Sequence, residues 1–279
     1  MGFAADYLAQ LERYAARADV PRVAALHLPP PEAATPADGR GEFCALELED
    51  GSIGLSYVLL DDTLAALHDG ASGPALAGAD ALALARAYRD AEGARRALGF
   101  AAANAITASF FRRAGYTPPA SGDSIGNIAP AAGDHIGMIG LFPPLLPAIL
   151  GSGARLTVVE LKAELAGERE GYRVTLDGAE LERCDKVVST STLLLNDTLD
   201  AMLGHCRNAE VIALIGPSAG CLPDALFTRG VTSLGGTTVV DRAGFINALR
   251  HGEKHSRHAR KFAIGRGDYP GFEALLART

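Results

Sequence analysis

From His135 onward the chain reads HIGMIGLFPP (135–144), RLTVVE (155–160), CDKVVST (184–190), EVIALI (210–215) and TTVVD (237–241). Each is a short run rich in aliphatic or β-branched residues. Helical patterns lie between them, near Asp197 to Cys206, Pro223 to Arg229 and Arg242 to Arg250. Strands that alternate with helices form a mostly parallel sheet with helices on its faces. Tyr172 to Leu176, closed by Asp177-Gly178, is either a hairpin strand of that sheet or an insertion.

The residues before His135 follow another pattern. Phe3 to about Ala18 reads as a helix and Arg22 to Leu28 as a strand, followed by a Pro-rich loop over Pro29 to Gly41. Cys44, Leu46 and Leu48 alternate with Glu47 and Glu49, Asp50-Gly51 supplies a turn, and Ile53, Leu55, Tyr57 and Leu59 resume the alternation. That is a β-hairpin, and Glu47 and Glu49 are expected on its solvated face. Two helices follow, about Asp80 to Asp90 and Glu92 to Arg113, the second with a small-residue face that suits close packing. Tyr116 to Asp134, rich in Gly, Pro, Ser and Asp, reads as a linker.

The chain has 279 residues, 48% hydrophobic and 21% charged, which fits two globular domains and excludes a disordered tail or a coiled coil. Lys and Arg number 26 against 33 Asp and Glu, a formal charge of −7. Phosphate-backbone binding draws on clustered Lys and Arg, and base stacking on aromatics; with Trp absent and aromatics at 6%, nucleic acid is not an expected partner. Ile136 to Ala154 is the only uncharged stretch of near-membrane length, and Pro143, Pro144 and Pro147 interrupt it. Asp6 and Glu12 stand where a signal peptide needs an apolar core. The four cysteines form no CxxC pair and read as reduced thiols, so a cytoplasmic location without a membrane partner is expected. The sequence leaves a homo-oligomer open.

In such a sheet, ligands lie beyond the carboxyl ends of the strands, near the point where strand order reverses. After the first strand, Gly137-Met138-Ile139-Gly140-Leu141-Phe142-Pro143-Pro144 is not a GxGxxG fingerprint, and the two prolines remove N–H donors where a pyrophosphate would sit. Glu160 ends the second strand, twenty residues after Gly140, where an acid commonly accepts from ribose hydroxyls or simply faces solvent. Ser189, Thr190, Ser191 and Thr192 follow the third strand, Asn196 and Thr198 precede the next helix, and Gly216, Pro217 and Ser218 follow the fourth strand. These hydroxyl-rich turns are either anion sites at helix N-termini or helix caps. Asn104 within the long helix pins a loop or faces a ligand.

His251 and His255, if helical, share a face and could chelate a metal with a further ligand; otherwise they belong to a basic solvated segment. No HExxH or GxxxxGK[ST] motif is present, so zincin and P-loop readings lack support.

ALGFAAANAIT (97–107), HIGMIGLFPP (135–144), VVE (158–160), CDKVVSTSTLLLNDTLDAML (184–203), IGPSAGCLPDALFTRGV (215–231) and GGTTVVD (235–241) occur in order. Together they resemble the bacterial and archaeal family named for heavy-metal chelation, over nearly the whole chain. The resemblance implies an enolase-N-like α+β domain over 1–118 and a Rossmann-like domain over 119–279, hence an α/β fold. It also implies a small-molecule or metal-related role with a site between the domains. By matching motif, Asn104, Phe142, Glu160, Ser191, Thr192, Asn196, Thr198, Gly216, Pro217, Ser218 and Asp241 carry over as ligand-binding candidates, with Glu160 the foremost general base by position. The chain departs from the family at Ser189-Thr190-Ser191, where glycine is common, and at Ala219-Gly220-Cys221, where Thr-Pro is usual. Three functions follow as expectations: a cleft that binds a small polar metabolite or metal chelate, with or without processing it, an enzyme using a nucleoside-type cofactor such as S-adenosylmethionine, or a metal carrier using Cys and His for a divalent ion.

Overall fold

Period-two alternation in the hairpin puts Cys44, Leu46 and Leu48 on one face and Ala45 and Glu47 on the other. In the computed structural model, which describes residues 2–34, 41–71, 76–122 and 126–279, both faces are covered. Strands β1 (Val23–His27), β2 (Phe43–Leu48) and β3 (Ile53–Tyr57) form an antiparallel sheet in the order β1-β2-β3. Helix α1 (Phe3–Ala15), the short α2 (Thr63–Ala66), α3 (Ala81–Ala85) and α4 (Ala87–Asp90), and the long α5 (Gly93–Arg113) accompany it. Cys44, Leu46 and Leu48 join the core formed with α1 and α5. The close fit of β3 on α5 depends on Gly54, where any Cβ would collide with the backbone of Ala101 and Ala105. The loop read over Pro29 to Gly41 lies partly outside the described residues, as does the middle of the linker read over Tyr116 to Asp134.

The second sheet has eight strands, in the order β11-β10-β9-β8-β4-β5-β7-β6. They are β4 (His135–Ile139), β5 (Arg155–Val159), β6 (Gly167–Arg169), β7 (Tyr172–Thr175), β8 (Lys186–Thr190), β9 (Val211–Ile215), β10 (Ser233–Val239) and β11 (Ala259–Gly265). Strands β7, β5, β4, β8, β9 and β10 pair in parallel, while β6 and β11 are antiparallel at the edges. Numbered in chain order, the parallel strands run 3-2-1-4-5-6, the order of doubly wound sheets, with its reversal between β4 and β8.

Helices α6 (Leu146–Gly151), α7 (Leu199–His205), α8 (Asp224–Phe227), α9 (Arg242–Arg250) and α10 (Phe272–Leu276) complete the described α-helices. One face of the sheet, with Val187, Leu214 and Leu234, shares a continuous core with α1 and α5. The other face, with Ile136, Met138, Leu156 and Val188, packs on Ile149 of α6.

Three sequence expectations change. The hairpin face expected to be solvated is so at Glu49, which is exposed, but not at Glu47: Ala45 and Leu55 pack against Phe245 and Leu249 of α9, and Glu47 is only 4% exposed. Strand β10 starts at Ser233, ahead of the run that begins at Thr237, and β11 is a further strand paired along it. The linker runs beside β11: the Ser121 N–H donates to the Lys261 carbonyl at 3.1 Å, and the Ala263 N–H to the Pro119 carbonyl at 3.0 Å. Among the described residues, no helix is long and apolar enough to cross a membrane.

Candidate functional site

The carboxyl ends of β9 and β10 reach the edge of the hairpin, and between them lies a cavity of about 420 Å³. The first half of the chain supplies Ile53 to Leu55 of β3, and Asn104, Ala108 and Arg112 of α5. The second half supplies Pro217, Gly220, Thr237 to Val240, Arg242, Arg260 and Phe262. A smaller cavity of about 220 Å³ adjoins it and shares Pro217, Thr237 and Phe262 as walls; Phe142, Gly216 and Lys261 also line it.

Asn104, only 2% exposed, holds the two halves together. Its Nδ2 donates to the carbonyls of Leu55 and Ser218, both at 2.9 Å, and its Oδ1 accepts from the Tyr7 hydroxyl at 3.2 Å. Both amide hydrogens are thereby engaged, so this residue shapes the cavity wall rather than donating to a ligand. Gly216 has φ of +149°, and a Cβ there would collide with the Ser191 hydroxyl. The β8 turn is therefore packed directly behind the β9 turn. Ser218 Oγ is buried and has no hydrogen-bond partner among the described residues.

The cationic lining has a second layer. Arg112 donates to the Asp50 carbonyl at 2.7 Å and pairs with its carboxylate; Ser109 Oγ also donates to that carboxylate, at 2.6 Å. Arg242 pairs with Glu47, whose other oxygen meets His27 Nε2 at 2.9 Å. Arg250 donates to His27 Nδ1 at 2.8 Å, so the ring is neutral with its proton on Nε2. Burial, with Arg250 and Arg242 nearby, holds His27 below its ordinary value of 6.5. Burial alone would raise Glu47, but its bonds to Arg242 and His27 outweigh that and keep the carboxyl below its ordinary value. Arg112, Arg242 and Arg260 were not singled out in the sequence, because they fall on separate elements with no diagnostic spacing.

The other residues chosen from sequence lie outside the two cavities. Glu160 Oε1 accepts the Leu141 N–H at 2.8 Å and its Oε2 the Leu161 N–H at 2.9 Å, so this carboxylate clamps the turn after β4. The Thr190 hydroxyl caps the turn over Ser191–Leu194, with its oxygen 2.8 Å from Thr192 Oγ1. Ser189 Oγ donates to the Thr190 carbonyl at 3.2 Å. Asn196 Oδ1 accepts from the Thr198 hydroxyl at 2.6 Å, ahead of α7. Asp241 caps α9 through the Gly244 N–H at 3.1 Å and pairs with His258 Nδ1 at 2.7 Å.

The shared helical face expected for His251 and His255 does not form, since α9 ends at Arg250. His251 Nδ1 lies 2.8 Å from the Asn247 carbonyl, and the His255 ring packs edge-on against Phe245. Among the described residues, no three His, Cys, Asp or Glu side chains are grouped to hold a metal ion. All four cysteines are buried and unbridged; burial pushes Cys44, Cys206 and Cys221 up to about 12 and Cys184 to about 11.

Two family profiles, each described as "Putative heavy-metal chelation", match residues 125–265 and 41–107. An uncharacterized protein of Methanocaldococcus jannaschii is 39% identical over 61 residues, a match spanning 22% of this chain and 24% of that protein. A crystal structure of a protein of unknown function from the DUF364 family of Desulfitobacterium hafniense superposes with a TM-score of 0.70 at 21% identity, over 95% of this chain and 98% of that one. A DUF364 structure from Pyrococcus horikoshii gives 0.67 at 20% identity, over 93% and 99%. At that identity the likeness concerns the fold.

Proposed function

This chain belongs to the family whose profile is described as "Putative heavy-metal chelation", and on that premise we propose that it binds a small polar metabolite or metal chelate between an N-terminal domain, 1–118, and a C-terminal domain, 119–279. The observation that carries the proposal is the cavity of about 420 Å³ whose walls come from both halves. Its size is that of a small-molecule pocket, and it mixes apolar walls with a few polar groups, as such pockets do. Asn104 ties β3 and the β9 turn together around it, and Pro217, Thr237 and Phe262 form its border with the smaller cavity. Glu160, Ser189 to Thr192, Asn196, Thr198 and Asp241 support the loops around this site in our reading, with no bond to the ligand.

Ala108 lines the cavity from α5, so Ala108→Trp would fill part of it. A ligand at a hundred times its Kd stabilises the native state by about 2.7 kcal/mol. For a chain of this size that is roughly 5–10 °C in Tm. A thermal-shift screen of metabolites and chelates should find ligands whose shift disappears in Ala108→Trp. Shifts that survive the substitution would place the site elsewhere.

The strand order favours a second reading, a nucleoside-type cofactor at the carboxyl ends of the parallel strands. The smaller cavity, lined by Gly216, Gly235 and Gly236, is its place in that reading. S-Adenosylmethionine in the same screen tests it: a shift lost in Phe142→Ala, which alters the wall of the smaller cavity, supports the cofactor, and absence of any shift removes it.

A further inference from the structure

We infer that the ligand of the cavity between the two halves is an organic oxyanion, and that a metal ion reaches this protein already wrapped in that anion rather than as a bare ion. The inference rests on the reading that this cavity is the binding site.

Three arginines line the cavity from three separate elements: Arg112 from the end of α5, Arg242 from the start of α9 and Arg260 from β11. Among the described residues no Asp, Glu or His lines it. The chain as a whole carries a formal charge of −7, so this is a local reversal of sign. Asp50 and Glu47, the partners of Arg112 and Arg242, are not part of the lining. They hold those two guanidinium groups from behind. A guanidinium has five N–H donors in a rigid fork, and a pair with one carboxylate leaves part of the fork available.

Arg260 differs from both. It makes no ion pair among the described residues, and its Nε is buried without an acceptor. No carboxylate among the described residues offsets its charge, as Asp50 and Glu47 do for Arg112 and Arg242, and an oxyanion in the cavity would supply that partner. Bidentate arginine recognition suits carboxylates and phosphates. Thr237, Thr238 and Ser52 add neutral hydroxyls to the same walls.

The same lining argues against a bare cation. Arginine has no lone pair to offer a metal. The buried cysteines lie outside the lining, and so do the histidines. A chelate whose own carboxylate or phosphate oxygens surround the ion presents a negative exterior, and that exterior is what three guanidinium groups complement.

Calorimetric titration of the full chain tests this with citrate, nitrilotriacetate and pyrophosphate, each alone and as its Ni²⁺ complex, and with nickel chloride and adenosine as contrasts. At least one oxyanion should bind, its affinity should fall tenfold or more in Arg260→Gln, and Arg260→Lys should fall between. Arg242→Gln, altered at an exposed side chain, gives a second reading should Arg260→Gln fold poorly. Binding of nickel chloride or adenosine that Ala108→Trp abolishes, with no oxyanion bound, would leave the cavity as the site and overturn the anion. If no probe binds in a way that Ala108→Trp alters, both the anion and the cavity reading fall.

Discussion

Asn104→Ala removes the side chain that joins the two walls of the cavity. Its amide donates to two buried carbonyls, of Leu55 in β3 and of Ser218 in the β9 turn, both at 2.9 Å. The Tyr7 hydroxyl that it accepts from keeps a second partner, Thr107 Oγ1 at 2.6 Å, so that group is not orphaned. The loss therefore falls on the carbonyls, at roughly 1–3 kcal/mol for each one left unpaired. Asn104 and Leu55 line the cavity, so water entering the space left by the side chain would offset part of the cost. We expect a destabilisation of about 2–4 kcal/mol, or a Tm lower by roughly 5–15 °C. Urea unfolding followed by circular dichroism measures it, with an unchanged m-value showing that only stability moved. Asn104→Asp should be at least as severe, because it deletes both donors and sets a carboxylate against the same carbonyls. A loss under about 0.5 kcal/mol in Asn104→Ala would refute the strut, being no more than an ordinary surface substitution costs.

Other outcomes follow from the same geometry. Glu47→Gln should cost about 1–3 kcal/mol in the same unfolding assay; the attraction of Arg242 is screened because its side chain is 60% exposed, while His27 is buried. His27, held below 6.5 when folded, contributes stability that is present above that pH and is lost as pH falls. Tm should therefore decline from pH 7 to pH 5, less steeply in His27→Gln; a rise on acidification would contradict the assignment. Gly216→Ala should destabilise by about 1–3 kcal/mol, since it strains a positive φ and collides with Ser191, and Ser191→Ala should restore part of that loss. An Ellman titration at pH 8 should leave all four cysteines unreacted until the chain is denatured, and prompt labelling of any thiol in the native protein would contradict their burial.

Much of the architecture was legible because periodicity reports a local environment. The alternation over Cys44 to Leu59 around Asp50-Gly51 marks the β2–β3 hairpin, and the aliphatic runs from His135 mark strands buried on both faces. Periodicity does not say what covers a face. Glu47 lies on the correct side of β2, yet α9 closes over that side from residues far along the chain. Strand β11 begins Ala259-Arg260-Lys261 just after a run of histidines and basic residues, and its antiparallel pairing with β10 depends on a partner that local sequence does not reveal.

The site was legible in the same partial way. The rule that ligands gather beyond the carboxyl ends of strands leads to Gly216 and Pro217, which line the cavities. It also leads to Glu160, whose two oxygens instead accept backbone N–H groups of neighbouring turns. Capping and ligand binding draw on the same residue types, so Thr190, Asn196 and Asp241 could not be separated by composition alone. The arginines carried no signal, since each is unremarkable within its own element and only the tertiary fold brings them together.

The most direct test of the binding site is anomalous diffraction at the nickel edge from crystals of the full chain soaked in Ni²⁺–citrate. A nickel peak in the cavity bordered by Arg112, Arg242 and Arg260, with citrate oxygens between metal and protein, is the predicted result. Nickel bound directly by side chains elsewhere, such as His251 or His258, with the cavity empty of both metal and citrate, would contradict the account.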